Sequence, residues 1–479
     1  MDRGETYLLL VAEAELRRAR EQDASVPVGA RVMQVARALT AVGAIDAATA
    51  DAIQADFELA LTGRQRKPPA GSAADAPWMP TVWRWIPRRS AQPASPQPAS
   101  PQPSTASPVR TAPSAQLGVP DRLVPVGMTI PLQSAESRGE LHLLTYVQTA
   151  AGAWFTTMAG LKSRTAQAGP SRPDLPGMEL LNRLAATDEA GQAYTLNFRG
   201  GGAAGSSESA EWSGQLKLRP DPPPSLRWLD LATGPAEPAT RIYLDQPSPP
   251  DVTIAPTALA PGEHLLNGFA ASLLGSGRTR IGPGLLTRAA EQLGDVVEAL
   301  QAVGALPPLS PVPGQVATLY TRMDVPGMTG APAVDLPERW LSVLSGRRGN
   351  PRLAPRQSCA GAAVALPELD GIKTLILGLH SSENGTVLHI QASAVELKGG
   401  LPMLWLRDDG GHWHTTRPNG FGTRDGEVTM RLMIVPPLHR SAWIEVVVAG
   451  SSAEARTTLA LRWSLAAQWM RRLGDRPAT

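Results

Sequence analysis

The chain has 479 residues, 42% of them apolar, with 45 basic against 43 acidic side chains and a formal charge of +2. That length accommodates roughly two to four domains with sizeable cores, and the near balance of charge excludes a global field that would draw in nucleic acid or an anionic membrane. The single cysteine, Cys359, excludes an intramolecular disulfide framework and any multi-cysteine zinc or iron–sulfur site, and it fits a reducing, cytoplasmic location.

Residues 1–65 predict a helical hairpin. Val32, Val35, Ala36, Leu39 and Val42 recur at three- and four-residue steps. Gly43 stops this helix, and Asp46 is placed to cap the next, in which Ile53, Phe57 and Leu61 keep step. The apolar run near Tyr7 is interrupted by acidic residues, so it reads as helix rather than as a signal peptide. No stretch approaches the roughly 20 apolar residues needed to cross a bilayer, and a soluble protein is expected.

Residues 66–119 change character. A Pro/Ser/Gln repeat from Gln92 to Pro108 predicts an extended tether. Before it, Trp78, Trp83 and Trp85 stand beside Arg84, Arg88 and Arg89 as the candidate partner-binding segment. Such aromatics are costly to leave in water, so the segment either docks on this protein's own domains or meets a partner, with peripheral membrane contact as a further option.

From residue 120 the period becomes two. Strands are expected at His142, Ala153, Glu179, Ala193, Gly214, Leu226 and Thr240, forming a first β-sandwich over 120–250. Residues 251–359 read as a Pro-rich and helical connector, with helices at Gly282–Leu306 and Pro337–Leu344. A second sandwich over 360–465 draws strands from Lys373, Thr386, Met403, His412, Glu427, Ala442 and Arg456, and a short helix over 466–479 ends the chain. The expected fold class is α+β, mostly β: two tandem immunoglobulin-like sandwiches with helical segments.

Several landmarks recur in the same order and predict an internal duplication. "ALTAVGAI" at Ala38 matches "ALQAVGAL" at Ala299. "TDEAGQAYT" at Thr187 matches "RDDGGHWHT" at Arg407, and "WLDLATG" at Trp228 matches "WIEVVVAG" at Trp443. The order Asp-x-x-Gly-x-x-Tyr, Gly-rich loop, strand before Pro-Pro and Trp-led strand resembles sandwich-bearing proteins of high-GC bacteria. That resemblance implies the fold and brings no activity with it.

The chemical candidates each have a structural reading beside them. Asp188, Glu189, Asp408 and Asp409 supply too few ligands for calcium, and Asp-x-x-Gly suits a β-turn better. His412 and His414 alternate onto one strand face and form the candidate metal pair, with His439 or Asp408 as a third ligand. The loop "RGGGAAGSS" at Arg199 lacks the setting of a phosphate loop, and Arg278 and Arg280 read as a basic linker rather than an anion site. Cys359 reads as a buried apolar residue.

The expected function is a non-catalytic scaffold or regulatory protein that binds another protein through loops and edges of the two sandwiches. No cofactor is expected, and nucleic acid is disfavoured as a partner. The competing reading is an enzyme or ligand-binding protein with a polar site between the copies, built from His380, His389, His412 or His414.

Overall fold

The computed structural model describes residues 2–21, 29–62, 120–133, 137–163, 178–205, 209–234, 238–245, 248–276, 283–323, 334–348, 358–382, 385–393, 403–424, 427–438 and 441–463. The Trp/Arg segment, the Pro-rich tether, Arg278, Arg280, His439 and the C-terminal helix lie outside them.

The N-terminal region holds three helices, α1 (Arg3–Glu21), α2 (Ala30–Ala41) and α3 (Ala47–Thr62). The predicted hairpin is α2 and α3, and α1 packs against both. Gly43, at φ +72°, turns the chain out of α2 while the N–H of Ala44 donates to Leu39 O at 2.9 Å. Asp46 then caps α3 by accepting the N–H of Thr49 at 2.9 Å.

Four further helices follow the first set of strands: α5 (Pro261–Gly275), α6 (Pro283–Ala302), α7 (Val312–Arg322) and α8 (Glu338–Arg348), after a one-turn α4 (Met178–Asn182). Helix α6 ends as α2 does, with Gly304 at φ +78° and the N–H of Ala305 donating to Leu300 O at 2.8 Å. Helices α2 and α6 pack together. One apolar cluster joins α5 to α8 with Ala38 of α2, and it rests on Trp405, Trp413 and Val447 of the second sheet.

The first sheet is antiparallel and contains β1 (Arg122–Gln133), β2 (Ser137–Thr149), β3 (Gly152–Ser163), β4 (Ala185–Asp188), β5 (Ala193–Gly205), β6 (Ser209–Arg219), β7 (Trp228–Ala232) and β8 (Thr240–Tyr243). Its strand order is β1-β2-β3-β6-β5-β4-β7-β8. The second sheet contains β10 (Ser358–Ala365), β11 (Thr374–Ser382), β12 (Gly385–Ser393), β13 (Met403–Asp408), β14 (Trp413–Arg424), β15 (Glu427–Val435), β16 (Trp443–Ala449) and β17 (Ala453–Ala460). Its order is β10-β11-β12-β15-β14-β13-β16-β17, with β9 (Val252–Pro256) added outside β17.

Each sheet is one continuous ladder curled around a single core, whereas an immunoglobulin-like sandwich divides its strands between two facing sheets. Arg122 draws β1 toward β8: its guanidinium donates to the carbonyls of Pro224, Leu226 and Leu244. In the second sheet Ala360 bridges Trp463, whose indole N–H donates to Ser441 O at 2.8 Å.

Three sequence expectations change. The strand expected at Glu179 is instead α4, whose Leu180 and Leu181 enter the core together with Leu184 just beyond its end. The Gly-rich stretch from Arg199 is not a loop: Arg199 to Gly205 continues β5 and pairs with β6. The connector, expected to hold helices at Gly282–Leu306 and Pro337–Leu344, also forms α5 and α7.

Candidate functional site

The two acidic octets form the same corner. In the first, Asp188 Oδ1 accepts the N–H groups of Ala190 (2.9 Å) and Gln192 (2.8 Å), and Oδ2 accepts the Tyr194 hydroxyl at 2.9 Å. Gly191 at φ +80° completes the turn. In the second, Asp408 Oδ1 accepts the N–H of His412 at 2.8 Å, with Gly411 at φ +81°. The next acid also binds backbone: Glu189 takes the N–H groups of Arg227 and Trp228, and Asp409 takes that of Ala442.

His412 and His414 both turn toward Asp408, as strand alternation requires, while Trp413 between them points into the helical layer. There Trp413 meets the Arg339 guanidinium at 4.7 Å from its ring centre, and its backbone N–H donates to Ser342 Oγ at 2.8 Å. His412 is 72% exposed at its side chain and His414 is buried. His414 Nδ1 lies 2.8 Å from Pro436 O, so this nitrogen carries the proton, and Nε2 stands 3.4 Å from Asp408 Oδ2.

The electrostatics follow from burial and these bonds. Burial raises the Asp408 carboxyl, but the His412 N–H and the two imidazoles outweigh it and hold Asp408 below the usual carboxylate range. Burial lowers His414, and the Pro436 carbonyl and Asp408 recover only part of the shift. Asp188 is likewise held low, by the Gln192 and Ala190 N–H groups and the Tyr194 hydroxyl against the opposing effect of burial. Tyr194 is pushed up to about 12 by burial and by Asp188.

A second polar constellation lies where the two sheets meet. Strands β1 and β2 pack on β10 and β11 so closely that a Cβ on Gly361 would stand 2.6 Å from Leu144 O and Val126 N. The Thr145 hydroxyl reaches across to Ala362 O (2.6 Å) and Leu377 O. Into this seam project His142 and His380, with ring centres 4.7 Å apart, and His389 lies beside them. Thr129 Oγ1 joins His142 Nδ1 (2.9 Å) to Cys359 Sγ (3.6 Å).

All three histidines are buried, and His380 Nδ1 and His389 Nε2 have no hydrogen-bond partner among the described residues. Burial pushes His142 to about 3, His380 to about 4 and His389 to about 3, so each is a neutral imidazole at pH 7. The sequence reading named His380 and His389 but missed His142. Nothing in "HLLTYV" distinguishes it from an ordinary strand residue.

A third feature is exposed. On β7 and β8 the Arg241 guanidinium stacks 3.7 Å from the Trp228 ring centre and is held by both Asp230 oxygens at 2.8 Å. Beside it Tyr243, the cross-strand partner of Trp228, is 63% exposed. The corresponding strand of the second sheet presents Trp443, paired with Ala460.

Among the described residues, no group of three or more His, Cys, Asp or Glu is placed to hold a metal ion. Also among them, no helix is long and apolar enough to cross a membrane. No protein-family model and no curated protein matches the chain.

Proposed function

We propose that this chain is a non-catalytic scaffold or regulatory protein of the cytoplasm, built from two copies of one helical and β unit, which binds another protein through loops and edges of its two sheets. The duplication is supported at every level. The strand order is the same in both sheets, and the acidic corner recurs with its glycine turn. Helices α2 and α6 end in the same turn. Gly4 in α1 and Gly262 in α5 both press on the carbonyl that follows such a turn, Ala44 O and Ala305 O.

The observation that carries the binding reading is the exposed Trp228, Arg241 and Tyr243 surface. The corner acids and Tyr194 are committed to framework, whereas this surface offers the exposed Tyr243 ring and an arginine pre-stacked on the half-buried Trp228. Such residues supply much of the binding energy at protein interfaces, and the Asp230 clamp removes side-chain freedom before a partner arrives. The test is quantitative affinity capture with Trp228→Ala/Arg241→Ala/Tyr243→Ala. Loss of wild-type-dependent partners with an unchanged melting temperature supports the reading, and undiminished capture contradicts it.

The Trp78, Trp83, Trp85, Arg84, Arg88 and Arg89 segment remains the second proposed contact. A metal- or ligand-binding reading rests on His412, whose exposed ring is oriented by Asp408. Stoichiometric zinc in purified protein, lost on His414→Ala, would favour it over the scaffold.

A further inference from the structure

We propose that the seam between the two curled sheets is an acid-operated joint, in which protonation of His142, His380 and His389 drives the sheets apart. The joint is built from three imidazoles that burial keeps neutral well below the free histidine value of 6.5. His142 belongs to the first sheet and His380 and His389 to the second, so placing charge on them sets like charges 4.7 Å apart across the contact. Among the described residues, no acceptor meets His380 Nδ1 or His389 Nε2 to receive the added proton's hydrogen bond.

The groups facing the histidines do not cancel this. From β2, Glu140 lies 3.9 Å from His142 Nε2 and offsets part of one charge. From β15, Arg431 pairs across strands with His389 and adds to the repulsion. Among the described residues, β1 and β10 contribute the Thr129 hydroxyl and the Cys359 thiol. The contact also includes the apolar Val147, Leu375 and Leu377, the close backbone approach at Gly361 and the Thr145 hydroxyl.

Opening returns the imidazoles to water and to their ordinary affinity for protons. The relevant pH is therefore set by the free histidine value of 6.5, well above the values in the closed seam. By linkage, each released imidazole favours the open form ~25-fold between pH 7 and pH 5, and three together ~10⁴-fold. The sign is fixed: the closed seam binds fewer protons, so its stability is complete above pH 6.5 and falls as the pH drops.

Cys359 is buried at the seam and is the only cysteine in the chain, which makes it a reporter of opening. The experiment labels the full chain with an acid-active disulfide reagent at pH 7 and pH 5, normalises each rate to the unfolded chain, and follows far-UV circular dichroism in parallel. Labelling should rise steeply at pH 5 while the sheet signal is retained, and His380→Gln should flatten the pH dependence by ~25-fold. Equal protection of wild-type Cys359 at both pH values overturns the proposal. So does labelling that rises only as the sheet signal is lost, or a folded His380→Gln protein with the wild-type pH dependence.

Discussion

Replacing Gly361 with Ala probes the backbone-to-backbone contact that makes the two sheets one body. The new Cβ would stand 2.6 Å from Leu144 O, 2.6 Å from Val126 N and 2.8 Å from Gly127 N, all main-chain atoms that cannot rotate away. Relief requires the seam to part by roughly 1 Å to reach ordinary contact distance. That movement weakens the Thr145 hydroxyl's hold on Ala362 O and Leu377 O and loosens Val147 against Leu375 and Leu377. Overpacking costs about 1–3 kcal/mol and a lost hydrogen bond about 1 kcal/mol, giving a destabilisation of about 2–4 kcal/mol. Gly160→Ala on β3 is the control: nothing lies within 4 Å of its Cβ, and a strand glycine replaced by Ala should be neutral or gain about 0.5 kcal/mol. Urea titrations followed by circular dichroism measure both. If Gly361→Ala is as harmless as Gly160→Ala, the close packing of the sheets is refuted.

Asp188→Ala removes the acceptor for two backbone N–H groups and the Tyr194 hydroxyl, and should cost about 2–3 kcal/mol in a denaturant titration. Because the folded carboxyl is held low, its contribution is present above the ordinary value of 3.8 and is lost as pH falls through the folded value; melting curves from pH 7 to pH 3 should show a shallower acid loss in Asp188→Asn. Arg347→Ala frees the α5 carbonyls of Leu273 and Leu274 and that of Ser276, and should lower stability by about 1–3 kcal/mol, read as an earlier thermal transition. The Tyr243 substitution, at an exposed position, should leave stability within about 0.5 kcal/mol of wild type in the same titration.

Helices α2, α3, α6 and α8 and most strands are legible in the sequence because their periodicity matches how they are buried, whereas α4, α5 and α7 are not. Leu229 and Leu231 alternate inward on β7, and Val32, Val35 and Leu39 line one face of α2. The first strand of each sheet was missed. In β1, Pro125, Gly127 and Pro131 look like turn residues, and β10 is the small-residue run Ser358–Ala365. Those same features let the strands bulge at Pro125/Met128 and Gly361/Val364 and let the sheets approach closely. The seam was therefore hidden by the residues that make it. His142 was hidden for a related reason, since its neighbours across the seam lie more than 200 residues away in sequence. The octets were read as turns on local chemistry alone, and the hydrogen bonds of Asp188 and Asp408 agree with that reading.

The most direct test of the whole account exchanges the residues at which the two corners differ, with His412→Gln/His414→Tyr giving the second corner the side chains of the first. If both corners are framework of a duplicated scaffold, the new tyrosine bonds Asp408 as Tyr194 bonds Asp188. Stability should then stay within about 1.5 kcal/mol of wild type, with partner capture unchanged. Loss of capture, or of a stoichiometric metal ion, in a variant that still melts like the wild type would show that the histidines carry chemistry of their own, and would contradict it.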